Sequence, residues 1–433
     1  MIRNVIACIL AGGEGKRLFP LTARCAKPAV RFGGSYRLID FPLSNCVNSE
    51  ISKVLVFSQY MSLSLEYHLR QGWRSVGAEP HDYIAFLPPR KQAGRLCYQG
   101  TADAVYQNLQ ILDRLSPANV LILGSDHVYR MDYRRLLQFH LERGADVTVA
   151  TFPVRREQAS EFGIVTADER ARVTSFSEKP KDLTTLPSET PEVLASMGIY
   201  LFTFDALREL LVEDSQRRST HDFGRDILPQ MLGRYRVAAF PFVDGIDEEP
   251  AYWRDVGTIG AYWEAHMDLL GPDPRFHLQH PNWPLRTASS QPPAPLSARW
   301  DFCSTIPESR AHSLIAQDCT IQGGRIDRSI LSPGVRVDAG AEVQESILLD
   351  GVHIGRGAKV RRAILDRGTI VPPWTSIGDG SAADHGRFAI SPLGITVVGH
   401  APSTPTLEEE QVQLSFMNRG ERYRAGSMVT TSA

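Results

Sequence analysis

The 433-residue sequence has no apolar stretch near the roughly 20 residues a helix needs to cross a bilayer, so no membrane partner is expected. Its short apolar start, MIRNVIACILAGG, runs into a glycine loop rather than a cleavage site and reads as a first strand, not a signal peptide. Cysteine is sparse. The six (8, 25, 46, 97, 303 and 319) include no C-x-x-C and have no histidine at metal-ligand spacing. That argues against a disulfide framework and a zinc site, and it suits a reducing cytoplasm. Surplus charge is also missing: a net charge of −2 offers nothing for nonspecific nucleic-acid binding. No Ser/His/Asp arrangement stands out. Both common phosphate loops fail as well at residues 9–28, ILAGGEGKRLFPLTARCAKP. A P-loop needs four residues between its first glycine and a Gly-Lys-Ser/Thr, and a dinucleotide fingerprint needs a third glycine where Leu18 stands. Each also needs a helix directly after the loop, whereas Pro20 and Pro28 keep the chain irregular or extended.

What is present is a concentration of cations. Residues 1–40 carry seven Lys or Arg (3, 16, 17, 24, 27, 31, 37) against Glu14 and Asp40. A charge run is usually a solvated face. Glycines interleaved with these cations point instead to an anionic small molecule. Such a loop after a strand can turn backbone N–H groups toward phosphates, and Arg17 and Lys27 can add side-chain charge. The chain exceeds the size at which a single core stops growing, so at least two domains are expected.

Over about the first 265 residues, strand-like and helix-like runs alternate. VIACIL, KVLVFSQ (53–59), NVLILGSD (119–126), DVTVATFPV (146–154) and MGIYLFTF (197–204) are near-continuously apolar, as strands buried on both faces are. TADAVYQNLQILDRL (101–115) reads as one helix with Thr101 as N-cap and Val105, Leu109 and Leu112 on one face. DYRRLLQFHLERG reads as a helix capped by Asp132 and stopped by Gly144. The alternation predicts a mostly parallel sheet with helices on both faces, its ligands beyond the carboxyl ends of the strands.

Seven prolines between 272 and 295 mark an extended connector. Beyond it the sequence repeats. RSILSPGVRV (328–337), ESILLDGVHI (345–354) and RAILDRGTIV (362–371) place Gly334, Gly351 and Gly368 seventeen residues apart, and HSLIAQDCTI (312–321) is a fourth copy offset by sixteen. β-branched residues six apart within each copy predict a parallel β-helix of roughly four or five coils. The expected division is a catalytic domain at 1–270, a linker at 271–305, the β-helix at 306–400 and a strand plus tail at 401–433.

AGGEGKRLFPLT…AKPAV resembles the loop of sugar-1-phosphate nucleotidylyltransferases, which wraps the triphosphate of an NTP. FGGSYRLIDFPLSNCVNS, YQGTADAV (98–105), GSDHVY (124–129), SEKP (177–180), ASMGIY (195–200), HDFGRD (221–226) and YWRDVGT (252–258) narrow the resemblance to the bacterial glucose-1-phosphate adenylyltransferases, over about residues 4–395. The resemblance implies a Rossmann-like α/β nucleotidyltransferase domain followed by a left-handed parallel β-helix. It implies transfer of the adenylyl group of ATP to glucose 1-phosphate for glycogen synthesis, with Mg²⁺, in a homotetramer controlled by anionic effectors. Carried over residue by residue, it makes Arg17, Asp126 and Lys179 catalytic and gives ATP to Gly12, Gly13, Gly15, Lys27, Gln59 and Gly100. Glucose 1-phosphate goes to Tyr98, Gly163, Glu178, Lys179, Ser196 and Asp222, and the metal to Asp126 and Asp255. Arg37, Arg387 and Arg422 are candidates for an effector site. Two positions depart from the family pattern: Ser35 replaces a lysine and Cys97 a tryptophan, which leaves the activator open. A scaffold subunit of the same fold would have lost Asp126 or Lys179, and both are present. A relative using another nucleotide or sugar stays open, while so few coils argue against a bifunctional enzyme with an acetyltransferase β-helix.

Overall fold

The computed structural model describes residues 2–73, 82–89, 97–186, 190–243, 245–248, 251–288, 294–295, 312–380 and 382–399. Arg422, the segment 401–433 and most of the connector beyond 288 lie outside them. Among the described residues, no helix is long and apolar enough to cross a membrane.

The centre of the catalytic sheet is parallel. β1 (Val5–Ala11) lies between β2 (Lys53–Ser58) and β4 (Asn119–Gly124), and β3 (Tyr83–Leu87) extends the β2 edge. Ala7 faces Val54 on one side and Leu121 on the other. Continuous hydrophobicity has the expected cause. Val5, Ala7 and Ile9 of β1 enter one core, and Ile6 and Cys8 enter another on the opposite face. The first core packs Leu43 of helix α1 (Asp40–Asn48), Leu65 and Leu69 of α2 (Ser62–Gly72), and Leu136 of α5 (Tyr133–Glu142). The second packs Val105 of α3 (Thr101–Tyr106), Leu109 and Leu112 of α4 (Leu109–Leu115), and Leu207 and Leu210 of α6 (Phe204–Ser215).

On the other side of β4 the sheet turns antiparallel. The long β9 (Glu192–Thr203) pairs antiparallel with β4, with β6 (Val147–Arg155) and with β7 (Gly163–Ala167). β8 (Val173–Glu178) closes that edge on β7, and β10 (Val237–Pro241) runs parallel to β6. Separately, β5 (His127–Tyr129) and β11 (Trp253–Asp255) form a two-stranded antiparallel ribbon.

Two helical expectations are corrected. Residues 101–115 form two helices, not one. The side chain of Asn108 donates to the Ala104 carbonyl at 2.9 Å, taking the acceptor that the helical backbone would otherwise use. Thr101 is not the cap either: Gly100 holds that place, and the Thr101 hydroxyl reaches across to Asp222 and accepts from the Phe223 N–H. α5 is capped as expected, with Asp132 accepting from the Arg134 N–H and Gly144 following at φ 52°.

The described part of the proline-rich segment is fastened down. Phe276, Leu278 and Trp283 are buried, and the Trp283 indole donates to Asn45 of α1 at 2.9 Å. Beyond it, short strands stack into three parallel sheets, with Ile330, Ile347 and Ile364 in register on one face and Val337, Ile354 and Val371 on the next. The step is seventeen residues, and sixteen for the first coil, where Leu314 faces Ile330. Buried Ser329 and Ser346 each accept a backbone N–H from the next coil, from Ser346 and Ala363 respectively. The last coil ends in an antiparallel hairpin, Ala389–Ile390 against Thr396–Val398. Ile330, Ile347, Ile364, Ile395 and Val397 share one buried cluster with Leu18, Leu21, Ile259 and Tyr262, which joins the two domains.

Candidate active site

The glycine loop leaves β1 at the carboxyl edge of the sheet. Gly15 sits at φ 72°, where a Cβ would meet the Thr22 side chain at 2.8 Å, and the Thr22 hydroxyl donates to the Gly15 carbonyl. No α-helix follows: Lys16–Leu18 makes one 3₁₀ turn, and Lys27–Ala29 makes another around Pro28. The neighbouring strand end is tied to this one by Ser125, whose hydroxyl donates to the Leu10 carbonyl at 2.7 Å.

A cavity of about 770 Å³ opens here. Gly12, Gly13, Gly15, Arg17, Lys27, Gln59, Tyr98, Gly100, Asp126, Glu178 and Asp222 all line it, brought together from six stretches of the chain. At one end, Gln59 accepts from the Tyr98 N–H, and Gly100 is pressed against the loop opposite. A Cβ on Gly100 would stand 2.2 Å from the His221 carbonyl oxygen, so only glycine fits. At the other end, the Glu178 carboxylate is bedded on two glycines: a Cβ on Gly163 or Gly224 would meet its Oε2 at 2.8 or 2.7 Å. Burial pushes the Glu178 carboxyl above its ordinary pKa, against the pull of the Lys179 cation. Asp222 accepts from the Gly224 and Arg225 N–H groups and from Thr101, which fixes that wall.

Other predicted residues stand at or behind the walls. Lys179 takes a left-handed φ of 47° at the rim, its Nζ 3.9 Å from Glu178. Ser196 is buried and donates to the Tyr200 hydroxyl, and it is Tyr200 that faces the cavity. The Tyr98 hydroxyl points away, donating to the Leu87 carbonyl and accepting from Asn108, so only its ring and backbone serve the site. Arg387 is exposed on the β-helix. Arg37, expected on an effector surface, is only 2% exposed, and its guanidinium donates to the Ala29 carbonyl.

Asp126 and Asp255, 129 residues apart, meet through the ribbon, in which Asp255 faces His127. The Lys27 ammonium lies on the Asp126 carboxylate. Burial alone would raise that carboxyl, but Lys27 and then His127 hold it well below the usual carboxylate range. Asp126, His127 and Asp255 each offer a ligand atom within 4.8 Å of the others. Asp255 Oδ1 and His127 Nδ1 are buried with no hydrogen-bond partner among the described residues. An orphaned carboxylate oxygen beside a second carboxylate fits a hard divalent cation. His127 escaped the sequence reading although it stands inside the quoted GSDHVY; an imidazole next to a metal carboxylate was the available signal.

Residues 6–271 match the family model described as "Nucleotidyl transferase", and residues 303–398 match "GlmU-like, C-terminal hexapeptide", whose repeats agree with a left-handed β-helix. The chain is 47% identical over 401 residues to glucose-1-phosphate adenylyltransferase 2 of Vibrio parahaemolyticus, covering 92% of this chain and 98% of that protein. It is 43% identical to the glucose-1-phosphate adenylyltransferase of Thiobacillus denitrificans, with 92% and 90% covered. It is likewise 43% identical to that of Koribacter versatilis, with 91% and 95% covered.

Proposed function

The chain belongs to the glucose-1-phosphate adenylyltransferases of the nucleotidyl transferase family, and from that premise we propose how its cleft works. The reaction transfers the adenylyl group of ATP to glucose 1-phosphate. A phosphate oxygen of the sugar phosphate attacks the α-phosphorus in line, the bond to the β-phosphate oxygen breaks, and pyrophosphate leaves with the electron pair. Two polyanions must approach each other, so positioning and charge neutralisation carry the catalysis. The glycine loop with Arg17 takes the triphosphate, and Arg17 and Lys27 steady the departing pyrophosphate. Gln59 and the backbone from Tyr98 to Gly100 take the base. Glu178, Ser196 through Tyr200, and Asp222 surround the glucose, and Lys179 at the rim takes its phosphate.

Asp126 and Asp255, with His127 beside them, would hold a divalent cation, in this reading Mg²⁺. Bound there, the ion would neutralise charge on the phosphates. The observation that carries the proposal is the convergence of Lys27, Asp126, His127 and Asp255 beside a glycine loop at the carboxyl edge of the sheet. The same reading assigns the enzyme to ADP-glucose supply for glycogen in the cytoplasm, as a homotetramer under anionic effectors. Arg387 is the effector candidate exposed among the described residues.

The test is pyrophosphate release from ATP, UTP, GTP and dTTP with glucose 1-phosphate and Mg²⁺. ATP is expected to be preferred clearly. A preference for UTP or GTP would refute the adenylyl assignment, and no turnover with any nucleotide would mean a noncatalytic subunit.

A further inference from the structure

The two catalytic loops that meet at the edge of the cleft are both backed by the β-helix. Arg17 and Asp255 come together over Gly257, where a Cβ would stand 2.9 Å from Arg17 Nη2 and 2.8 Å from Asp255 Oδ1. Behind this edge lies a second cavity of about 910 Å³ that both residues line, walled in part by the terminal hairpin of the β-helix. Leu393, in the hairpin turn, packs on Gly260: a Cβ there would lie 2.8 Å from Leu393 Cδ1. Gly260 stands in the first turn of helix α7 (Ile259–Met267), five residues beyond Asp255. Just past the hairpin, Gly399 lies against Pro20, three residues beyond Arg17, with only 3.0 Å between a Cβ and the Pro20 ring.

Between these two touch points, Ile395 and Val397 are buried with Leu18, Leu21, Val256 and Ile259. These are the residues that flank Arg17 and Asp255 in sequence. The turn itself is held to the body of the β-helix, because the Leu393 carbonyl accepts from Arg362 at 3.2 Å.

We propose that the hairpin at 389–399 is a positioning element for adenylyl transfer: it holds the Arg17 loop and the Asp255 loop against each other, so the β-helix sets the geometry of the phosphate-handling edge. The inference rests on the roles of Arg17 and Asp255 in the proposed function. It extends them by making the second domain part of the catalytic geometry. Leu393 and Gly260 act through other groups and touch no substrate in this account.

The full-length chain is tested as a double-mutant cycle, Gly260→Ala, Leu393→Ala and both together. The added methyl meets the tip of Leu393, and removing Leu393 makes room for it. Gly260→Ala is expected to lower kcat severalfold, because the half-exposed Leu393 tip absorbs part of the added methyl and the remainder shifts the Asp255 loop. It should also weaken binding of Mn²⁺ to the nucleotide-free protein severalfold, read from the EPR signal of the free ion. KM for glucose 1-phosphate and the melting temperature should stay near those of the parent. Alanine is the better helix former, so a lost helix cannot explain the fall. The double variant should recover toward the parent in both kcat and Mn²⁺ binding. Independent effects of the two substitutions would overturn the proposal, as would unchanged kcat and Mn²⁺ binding in Gly260→Ala, or an activity loss that tracks melting temperature. If the parent transfers no adenylyl group, the proposed function fails, while the Mn²⁺ arm of the cycle still decides this inference.

Discussion

At the scale of single residues, the site turns on the contact between Lys27 and Asp126. The ammonium lying on this carboxyl, with His127 adding to the effect, holds it well below the usual carboxylate range against the cost of burial. The same carboxylate is the first candidate for the divalent cation, so Lys27 competes for it. Lys27 also lines the cavity next to the glycine loop, where the proposed function puts the triphosphate. Removing the ammonium therefore has two opposite effects. Lys27→Met is expected to lower kcat by roughly a hundredfold, the usual cost of losing a group that stabilises transition-state charge. Mn²⁺ binding to the nucleotide-free protein should hold or tighten. Rapid-mix kinetics and EPR titration check the two halves, and near-normal turnover with weaker Mn²⁺ binding would refute the assignment. The motif residues were legible singly, but what each side chain does was not. Tyr98 lies in YQGTADAV, yet its hydroxyl is held by Leu87 and Asn108, partners outside that motif, and so belongs to the core.

At the scale of elements, the packing of α1 against α2 is fixed by a buried carboxylate. Asp40 is fully buried and accepts from His68 Nε2 at 2.5 Å, Trp73 Nε1 at 2.9 Å and the Arg37 N–H at 2.8 Å. Burial would raise the Asp40 carboxyl, but His68 and then the Arg37 N–H lower it. Burial lowers the His68 imidazole, against the pull of the Asp40 carboxylate. A carboxyl depressed in the fold contributes stability above its unfolded pKa of about 4, and that contribution is lost as pH falls toward the native value. Asp40→Asn should cost about 1.5–3 kcal/mol at pH 7, the range for hydrogen bonds to a charged group, and progressively less below pH 4. Thermal melts of parent and variant across pH 3–7 measure this, and a gap that is constant or widens in acid would contradict it. Strands were the legible elements, because burial on both faces leaves an unbroken apolar run, as in VIACIL. The break at Asn108 was not legible, since an asparagine side chain that replaces a helical donor follows the same apolar spacing as a continuous helix. The His127–Asp255 pairing was invisible for another reason: a ribbon of three-residue strands carries no periodicity to read.

At the scale of the whole molecule, the repeat made the β-helix legible because a seventeen-residue register is a property of the chain, whereas the contact between domains is not periodic. A short stack of coils exposes its ends and flanks, and such solenoids need a cap or a partner. The last full coil carries two large apolar side chains in solvent, Ile370 at 71% and Trp374 at 76% exposure. Val371 points inward, so Ile370 must point out, and the indole of Trp374 lies flat on Gly357, where a Cβ would meet its ring at 2.3 Å. An exposed aromatic beside an exposed β-branched residue is the kind of apolar pair a subunit contact would cover, and neither residue lines the cavity. Replacing both with glutamate should lower the particle mass in light scattering while turnover per subunit stays within about twofold, since surface substitutions away from a site leave it intact. An unchanged mass would place the proposed assembly on another face. A mass that falls together with activity would mean that subunits complete each other's sites.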